Sequence, residues 1–247
     1  IMAKGDLVIA ISEMIKKYVL DNYKVHKKRL YLNYRGVDPI NYNNKQTVSK
    51  QWSKDWFKEY PNTKNKILVT LPARITRWKG QEDFISLILK LKDDFPDIHG
   101  LIVGDTQKGK KKFLKSLRAK VKLNNLLDNI TFTGHKGDIK EIMLISKIVF
   151  SLSKEPEAFG RVSLEALSLG IPVIAYSHGG VKEQLKKILP SGLVTKNSNQ
   201  LLYEKTKKFL IKPPIPKKNN YFLLKNMLEN TLNIYFIGIK INNQDRH

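Results

Sequence analysis

SKEPEAFGRVSLEALSLGIPVIAYSHGG, residues 153–180, holds a loop, a helical segment, an apolar strand and a second loop in one run. Phe159–Gly160 reads as the start of a helix running to about Leu169, and PVIAY (172–176) as a short β-branched strand. KIVFSL (147–152) stands just before it and reads as another strand. Two strands joined by a helix form one βαβ unit, and the pattern continues outward from it.

KILVTL (66–71), HGLIVG (99–104) and NITFTG (129–134) are further short apolar runs, and SGLV (191–194) is a weaker one. Helical windows separate them. In QEDFISLILKLKDDF the residues Phe84, Leu87, Ile88, Leu91 and Phe95 fall on one helical face. Near-continuous apolar strands alternating with amphipathic helices predict a doubly wound, Rossmann-like α/β domain with a parallel sheet covered on both faces. Ligands of such sheets bind beyond the carboxyl ends of the strands, so the loops that matter are PARITRWKG, DTQKGKK, HKGD, SKEPEAFG and SHGG.

Outside this unit the chain changes character. DLVIAIS (6–12) reads as a strand, with Ser12 as N-cap of the helix EMIKKYVLDNY. Residues 24–45 look irregular, and VSKQWSKDWFKEY reads as a Trp-rich helix ending at Pro61. At the other end KPPIPKK is a stiff linker, and YFLLKNMLENTLNIYF reads as one more amphipathic helix. The expected division is a residual βα unit of another domain over 1–30, linker and helix over 31–65, the ligand-binding domain over 66–210, and linker plus closing helix over 211–247.

Composition narrows the function. The 247 residues include 45 Lys and Arg against 22 Asp and Glu, a formal charge of +23. Such a charge suits an anionic partner: nucleic acid, an acidic membrane face or a phosphorylated substrate. Base readout leans on Arg, whereas this excess is mostly Lys spread along the chain, in company with abundant Asn and Ile that biased codon usage would also produce. Nucleic acid is therefore the least favoured partner, and the short run Lys108–Lys112 reads as a solvated helix face. No apolar run approaches the roughly 18–20 residues of a membrane helix, and the apolar run after Lys4 is too short for a signal peptide. The chain has no cysteine, which excludes disulfides and fits a reducing cytosol. G-x-G-x-x-G after a strand and G-x-x-x-x-G-K-[ST] are both absent, against a dinucleotide oxidoreductase and a P-loop NTPase. His26, His99, His135, His178 and His247 lack metal-ligand spacing; His135 and His178 read as plain loop histidines.

Two constellations carry chemistry. Arg74 and Lys79 lie in the loop after the first regular strand, where a guanidinium fork and a mobile ammonium can neutralise a diphosphate and support its departure; in a Lys-rich chain they also read as two solvated cations. Glu157 and Glu165 flank the Phe159–Gly160 turn, whose first helical N–H groups suit an anion. Eight helical residues span roughly 12 Å and nearly return to one face, so two acceptors at that spacing around an anion site suit a ligand with hydroxyls at both ends and phosphates between, such as a nucleotide sugar. A solvated loop acid and a helix-surface acid are the plainer reading of the same pair.

ARITRWKG, LIVGD, TFTGHKGDIKEIM and EPEAFGRVSLEALSLGIPVIAYSHGGVKEQL occur in one order over about residues 66–185. Together they resemble the nucleotide-sugar half of family 4 glycosyltransferases, of GT-B architecture. DLVIAISEMIKKYVLDNY is similar to the last strand and helix of that family's acceptor domain, NYRGVDP to its interdomain linker, and MLENTLNIY to its C-terminal crossing helix. The resemblance implies a glycosyltransferase that uses a nucleotide-sugar donor, retains anomeric configuration and needs no metal. It implies a diphosphate clamp at Arg74 and Lys79, sugar-hydroxyl contact at Glu157, ribose contact at Glu165, phosphate contact at the Phe159, Gly160 and Arg161 backbone, and the nucleobase beside Gly134 and His135. The implied acceptor is a glycan or glycolipid, in glycolipid, lipopolysaccharide or envelope polysaccharide assembly at the cytoplasmic membrane face. The family's Gly before the clamp Arg is Ala73 here, and Arg35 interrupts the linker motif. Most of the acceptor domain is expected to be missing from this chain, so alternatives stand beside transfer: a donor-binding fragment inactive without a separate N-terminal domain, or a basic binder of nucleic acid or anionic membrane.

Overall fold

The computed structural model describes residues 3–107 and 111–244. Residues 108–110 of the Lys-rich run, and His247, lie outside the described residues.

The chain begins with β1 (Val8–Ala10), α1 (Glu13–Asn22) and β2 (Leu30–Leu32). Ser12 caps α1 as its sequence position predicts, its Oγ accepting from the Ile15 N–H. The second strand differs from expectation: residues 24–45 are not wholly irregular, because Leu30–Leu32 pairs in parallel with β1 through Val8–Leu30, Ile9–Tyr31 and Ala10–Leu32. Three residues are too few to display a period of two, so LYL carries no strand signal of its own. The edge expected at residue 30 falls inside this strand.

After α2 (Lys50–Glu59) the regular alternation sets in: β3 (Ile67–Pro72), α3 (Gln81–Asp94), β4 (Ile98–Val103), α4 (Lys111–Leu123), β5 (Ile130–Gly134), α5 (Ile139–Leu144), β6 (Ile148–Ser151), α6 (Arg161–Ser168), β7 (Val173–Tyr176), α7 (Gly179–Ile188), β8 (Leu193–Val194) and α8 (Asn199–Ile211). Each of the expected strands is present. They form a six-stranded, all-parallel sheet of order β5-β4-β3-β6-β7-β8. The chain builds from β3 toward β5, then returns to the other side of β3 with β6. Helices α3, α4 and α8 pack together, as do α5, α6 and α7, the two covering layers that right-handed crossovers in opposite directions produce.

The core lies between these layers. Every residue of β4 and β7 is buried, which matches their largely apolar runs. Phe84 of α3 meets Phe150 of β6 edge-on, with ring centroids 5.4 Å apart.

The closing helix α9 (Leu224–Gln244) lies against the small β1–β2 sheet. Asn33 donates through Nδ2 to the Met227 carbonyl and the Thr231 hydroxyl, at 3.0 and 2.8 Å. Its entry is tied to the 33–39 segment: the Val37 N–H donates to the Phe222 carbonyl and the Leu224 N–H to the Val37 carbonyl. The helix buries Ile234 and leaves Leu228, Leu232, Tyr235 and Phe236 exposed.

Candidate functional site

The strand order reverses between β3 and β6, so the loops after these neighbouring strands diverge and leave a crevice at their carboxyl ends. A cavity of about 170 Å³ occupies it, lined by Arg74, Lys79, Glu157, Gly160, Arg161 and Ser163 among others. Pockets for drug-sized ligands run to roughly 300–1,000 Å³, so this cavity has room for part of such a molecule rather than the whole.

Two glycines bring the loops together. Gly80 and Gly160 each precede a helix in the left-handed conformation, with φ of 80° and 86°, a region that side chains beyond glycine seldom adopt. A Cβ on Gly80 would lie 2.2 Å from the Leu152 carbonyl oxygen, and one on Gly160 would lie 2.2 Å from Val181 Cγ2. The Lys79 loop is thereby pressed onto the end of β6 and the Phe159–Gly160 turn onto α7. A backbone hydrogen bond of 2.6 Å from the Lys154 N–H to the Trp78 carbonyl joins the two loops directly.

At the centre Lys79 Nζ meets Glu157 Oε1 at 2.7 Å, with the side chains 13% and 21% exposed. Lys79 also lies over the Trp78 ring, 4.2 Å from its centroid. Ser153 donates to the same Glu157 oxygen, and the His178 Nε2–H donates to the Ser153 carbonyl across 2.6 Å. Arg74 is exposed beside this cluster, its backbone carbonyl accepting from the buried Gln81 amide. The site thus presents three cations, Arg74, Lys79 and Arg161, one carboxylate held by a cation and a hydroxyl, and the start of α6.

A partly buried bridge joins the loops to the sheet. Asp83 in the first turn of α3 accepts from the Tyr176 hydroxyl at 2.7 Å and pairs with Lys154 at 3.0 Å. Burial first, and then the hydrogen bond to Asp83, push the Tyr176 phenol above its ordinary range. One side chain therefore ties both loops to β7.

The remaining expected residues stand apart from this centre. Glu157 precedes α6, so helical periodicity does not relate it to Glu165, and the two carboxylates do not share a helical face. Glu165 is buried, and Arg161 approaches it with Nε at 3.3 Å. Burial raises its carboxyl above the ordinary range, and the Arg161 guanidinium works against that rise. Phe159 turns its ring inward against Phe222 and Tyr34, leaving only its backbone for a ligand. Gly134 and His135 stand at the end of β5. The loop they open is held from below by Trp52 of α2, which donates through Nε1 to Asp138 at 2.7 Å.

Ser153, His178 and the Trp52–Asp138 bond escape a reading of the sequence. His178 announces its position in a strand-end loop; its partner, 25 residues earlier, is set by the neighbouring strand, and local spacing has no means of showing it.

Residues 53–222 match the family model described as glycosyl transferases group 1. The chain is 29% identical over 185 residues to an uncharacterized glycosyltransferase of Methanocaldococcus jannaschii, covering 74% of this chain and 44% of that protein. Among solved structures, a glycosyltransferase from Rickettsia africae superposes with a TM-score of 0.83 at 28% identity, over 95% of this chain and 64% of the other. Anabaena HepE, solved in complex with UDP and glucose, superposes with a TM-score of 0.75 at 25% identity, over 84% of this chain and 54% of the other. The chain spans about half the length of the curated relatives it matches.

Proposed function

This chain belongs to the glycosyl transferases group 1 family, and we propose that it supplies the nucleotide-sugar side of a glycosyltransferase acting with retention. The observation that carries this reading is the Lys79–Glu157 pair, set between Arg74 and the Gly160–Arg161 turn in one cavity. In this reading Arg74, Lys79 and the first N–H groups of α6 bind the diphosphate. Glu157 accepts from sugar hydroxyls, Glu165 serves the ribose, and the base lies beside Gly134 and His135. HepE binds UDP and glucose, which supports a ligand of this class.

Chemistry follows from the charges. The bond between the sugar's anomeric carbon and the diphosphate oxygen breaks, and the electron pair leaves with the diphosphate. An acceptor hydroxyl oxygen bonds that carbon and passes its proton to the departing diphosphate oxygen. Arg74 and Lys79 oppose the charge that grows on the departing diphosphate, a contribution larger in the transition state than before it, and no metal is assigned to that task. The acceptor is a glycan or glycolipid, and the excess positive charge supports a site of action at the anionic cytoplasmic face of a membrane in envelope polysaccharide or lipopolysaccharide assembly. The activity is that of a two-lobed molecule of which these residues supply the donor side, and an acceptor-binding lobe completes it.

Thermal unfolding with UDP, GDP, ADP and CMP tests the reading. A nucleotide at about 100 times its dissociation constant adds roughly 2.7 kcal/mol to the folded state. One nucleotide should raise the midpoint, and Arg74→Ala and Lys79→Ala should each remove most of the rise. Equal protection of both variants would discard the diphosphate clamp.

A further inference from the structure

Gln184 of α7 is fully buried and has no place in the chemistry above. Its Nε2 lies 2.6 Å from the Phe159 carbonyl oxygen and 3.1 Å from that of Gly160. One amide group therefore donates to two consecutive carbonyls of the turn that opens α6. Among the described residues its own Oε1 has no hydrogen-bond partner, a cost of roughly 1–3 kcal/mol for a buried acceptor. Turning the amide over would set an oxygen against two carbonyl oxygens, so the chemistry admits one orientation.

The consequence runs through the peptide plane. In a trans peptide the C=O and the following N–H point in opposite directions. With the Phe159 and Gly160 carbonyls drawn toward α7, the N–H groups of Gly160 and Arg161 are turned away from it, and both residues line the cavity. Gly160 can adopt the conformation that this demands, with φ of 86°. Its carbonyl is shared with the Leu164 N–H at 3.4 Å, so the α6 ladder holds that peptide only loosely. A second tie, from the Gly180 N–H to the Glu157 carbonyl at 2.8 Å, fixes the loop before the turn but not the two peptides themselves.

We infer that Gln184 is a positioning residue: from behind the turn it aims the Gly160 and Arg161 N–H groups at the ligand's phosphate. The inference rests on the nucleotide reading of the cavity. It predicts that affinity for a nucleoside diphosphate depends on a side chain that never touches it.

Isothermal titration with UDP, GDP and ADP, each alone, tests it on wild type, Gln184→Met and Gln184→Glu. Circular dichroism establishes that each protein is folded at the titration temperature. Gln184→Met keeps the volume and removes the donor, and should weaken the best nucleotide by about tenfold or more, the scale of one or two lost hydrogen bonds. Gln184→Glu should bind poorly at pH 8, where a carboxylate faces two carbonyls. At pH 5 its protonated O–H can donate to one of them, and affinity relative to wild type at the same pH should recover. A Gln184→Met protein within about twofold of wild type overturns the inference, and so does a Gln184→Glu deficit equal at both pH values. Should wild type bind none of the three, the nucleotide reading falls instead. Amide hydrogen exchange of the ligand-free proteins then decides the role of Gln184: faster exchange at Leu164 in Gln184→Met supports it, and unchanged exchange overturns it.

Discussion

Lys79 and Glu157 form a half-buried ion pair whose partners a nucleotide sugar would replace under the proposed function. Removing one partner leaves the other charge without its neutraliser, whereas a ligand phosphate can take over the ammonium while sugar hydroxyls take over the carboxylate. His99 shows the opposite use of burial. It stands fully buried in β4, its ring nitrogens engaging the Asp128 carbonyl at 3.0 Å and the Thr131 hydroxyl at 2.8 Å. Burial lowers its pKa to about 4. The folded protein thus keeps this ring neutral while the unfolded chain, with a pKa near 6.5, takes up a proton as the pH falls. The resulting stability is fully present above about 6.5 and is lost as the pH drops toward 4. The loss reaches on the order of 3 kcal/mol at the acid end of that window. Urea unfolding of wild type should show a steeper decline between about pH 6.5 and 4.5 than unfolding of His99→Gln; parallel declines would remove His99 as the cause.

Helices α1 and α7 meet through one side chain. Glu183 of α7 accepts from the Glu13 N–H at 3.0 Å and from the Met14 N–H at 2.9 Å. Its carboxylate thus satisfies two of the donors that the start of α1 leaves open and opposes the positive end of the helix dipole. Tyr34 joins the same group: burial first, and then its hydrogen bond to Glu183, raise its pKa above the ordinary range. The small sheet of β1 and β2 is therefore clipped to the large domain at α1 and strapped by α9. Glu183→Ala should destabilise this junction by about 1–2 kcal/mol, the usual cost of lost capping and dipole contacts. Hydrogen exchange should rise across α1 and remain unchanged in β3, β4 and β6; a uniform rise would place the loss in the core instead.

Over the whole molecule the formal charge of +23 is far larger than the site requires. A cation excess spread along the chain produces a field that draws the protein to any anionic surface, and salt screens that field within about 10 Å at 0.1 M. Among the described residues no helix is long and apolar enough to cross a membrane, so contact with a bilayer through these residues would be made from its face. Co-sedimentation should show binding to phosphatidylglycerol vesicles at about 20 mM salt, little binding to phosphatidylcholine vesicles, and release at about 0.5 M salt. Equal binding to both vesicle types, or none at low salt, would end the proposal of a membrane-facing site of action.

Periodicity alone foretells much of this architecture. Unbroken apolar runs at KILVTL, KIVFSL and PVIAY specify strands buried on both faces, and alternating helical windows specify their crossovers; these patterns are local, so they survive in a linear string. Arg74, Lys79 and Glu157 are visible for a related reason: they lie in strand-end loops, and parallel sheets collect those loops at one edge. The second strand of the small sheet, Leu30–Leu32, has no pattern long enough to read, and it exists because Val8–Ala10 offers it a partner. Glu165 reads as an open acceptor until packing buries it against Arg161. His178 and Gln184 owe their parts to partners brought near by the order of strands in the sheet, and Glu183 owes its part to the docking of α1. Hydrogen bonds between groups far apart in the chain depend on where the backbone has been carried, and that position is decided only when the layers pack.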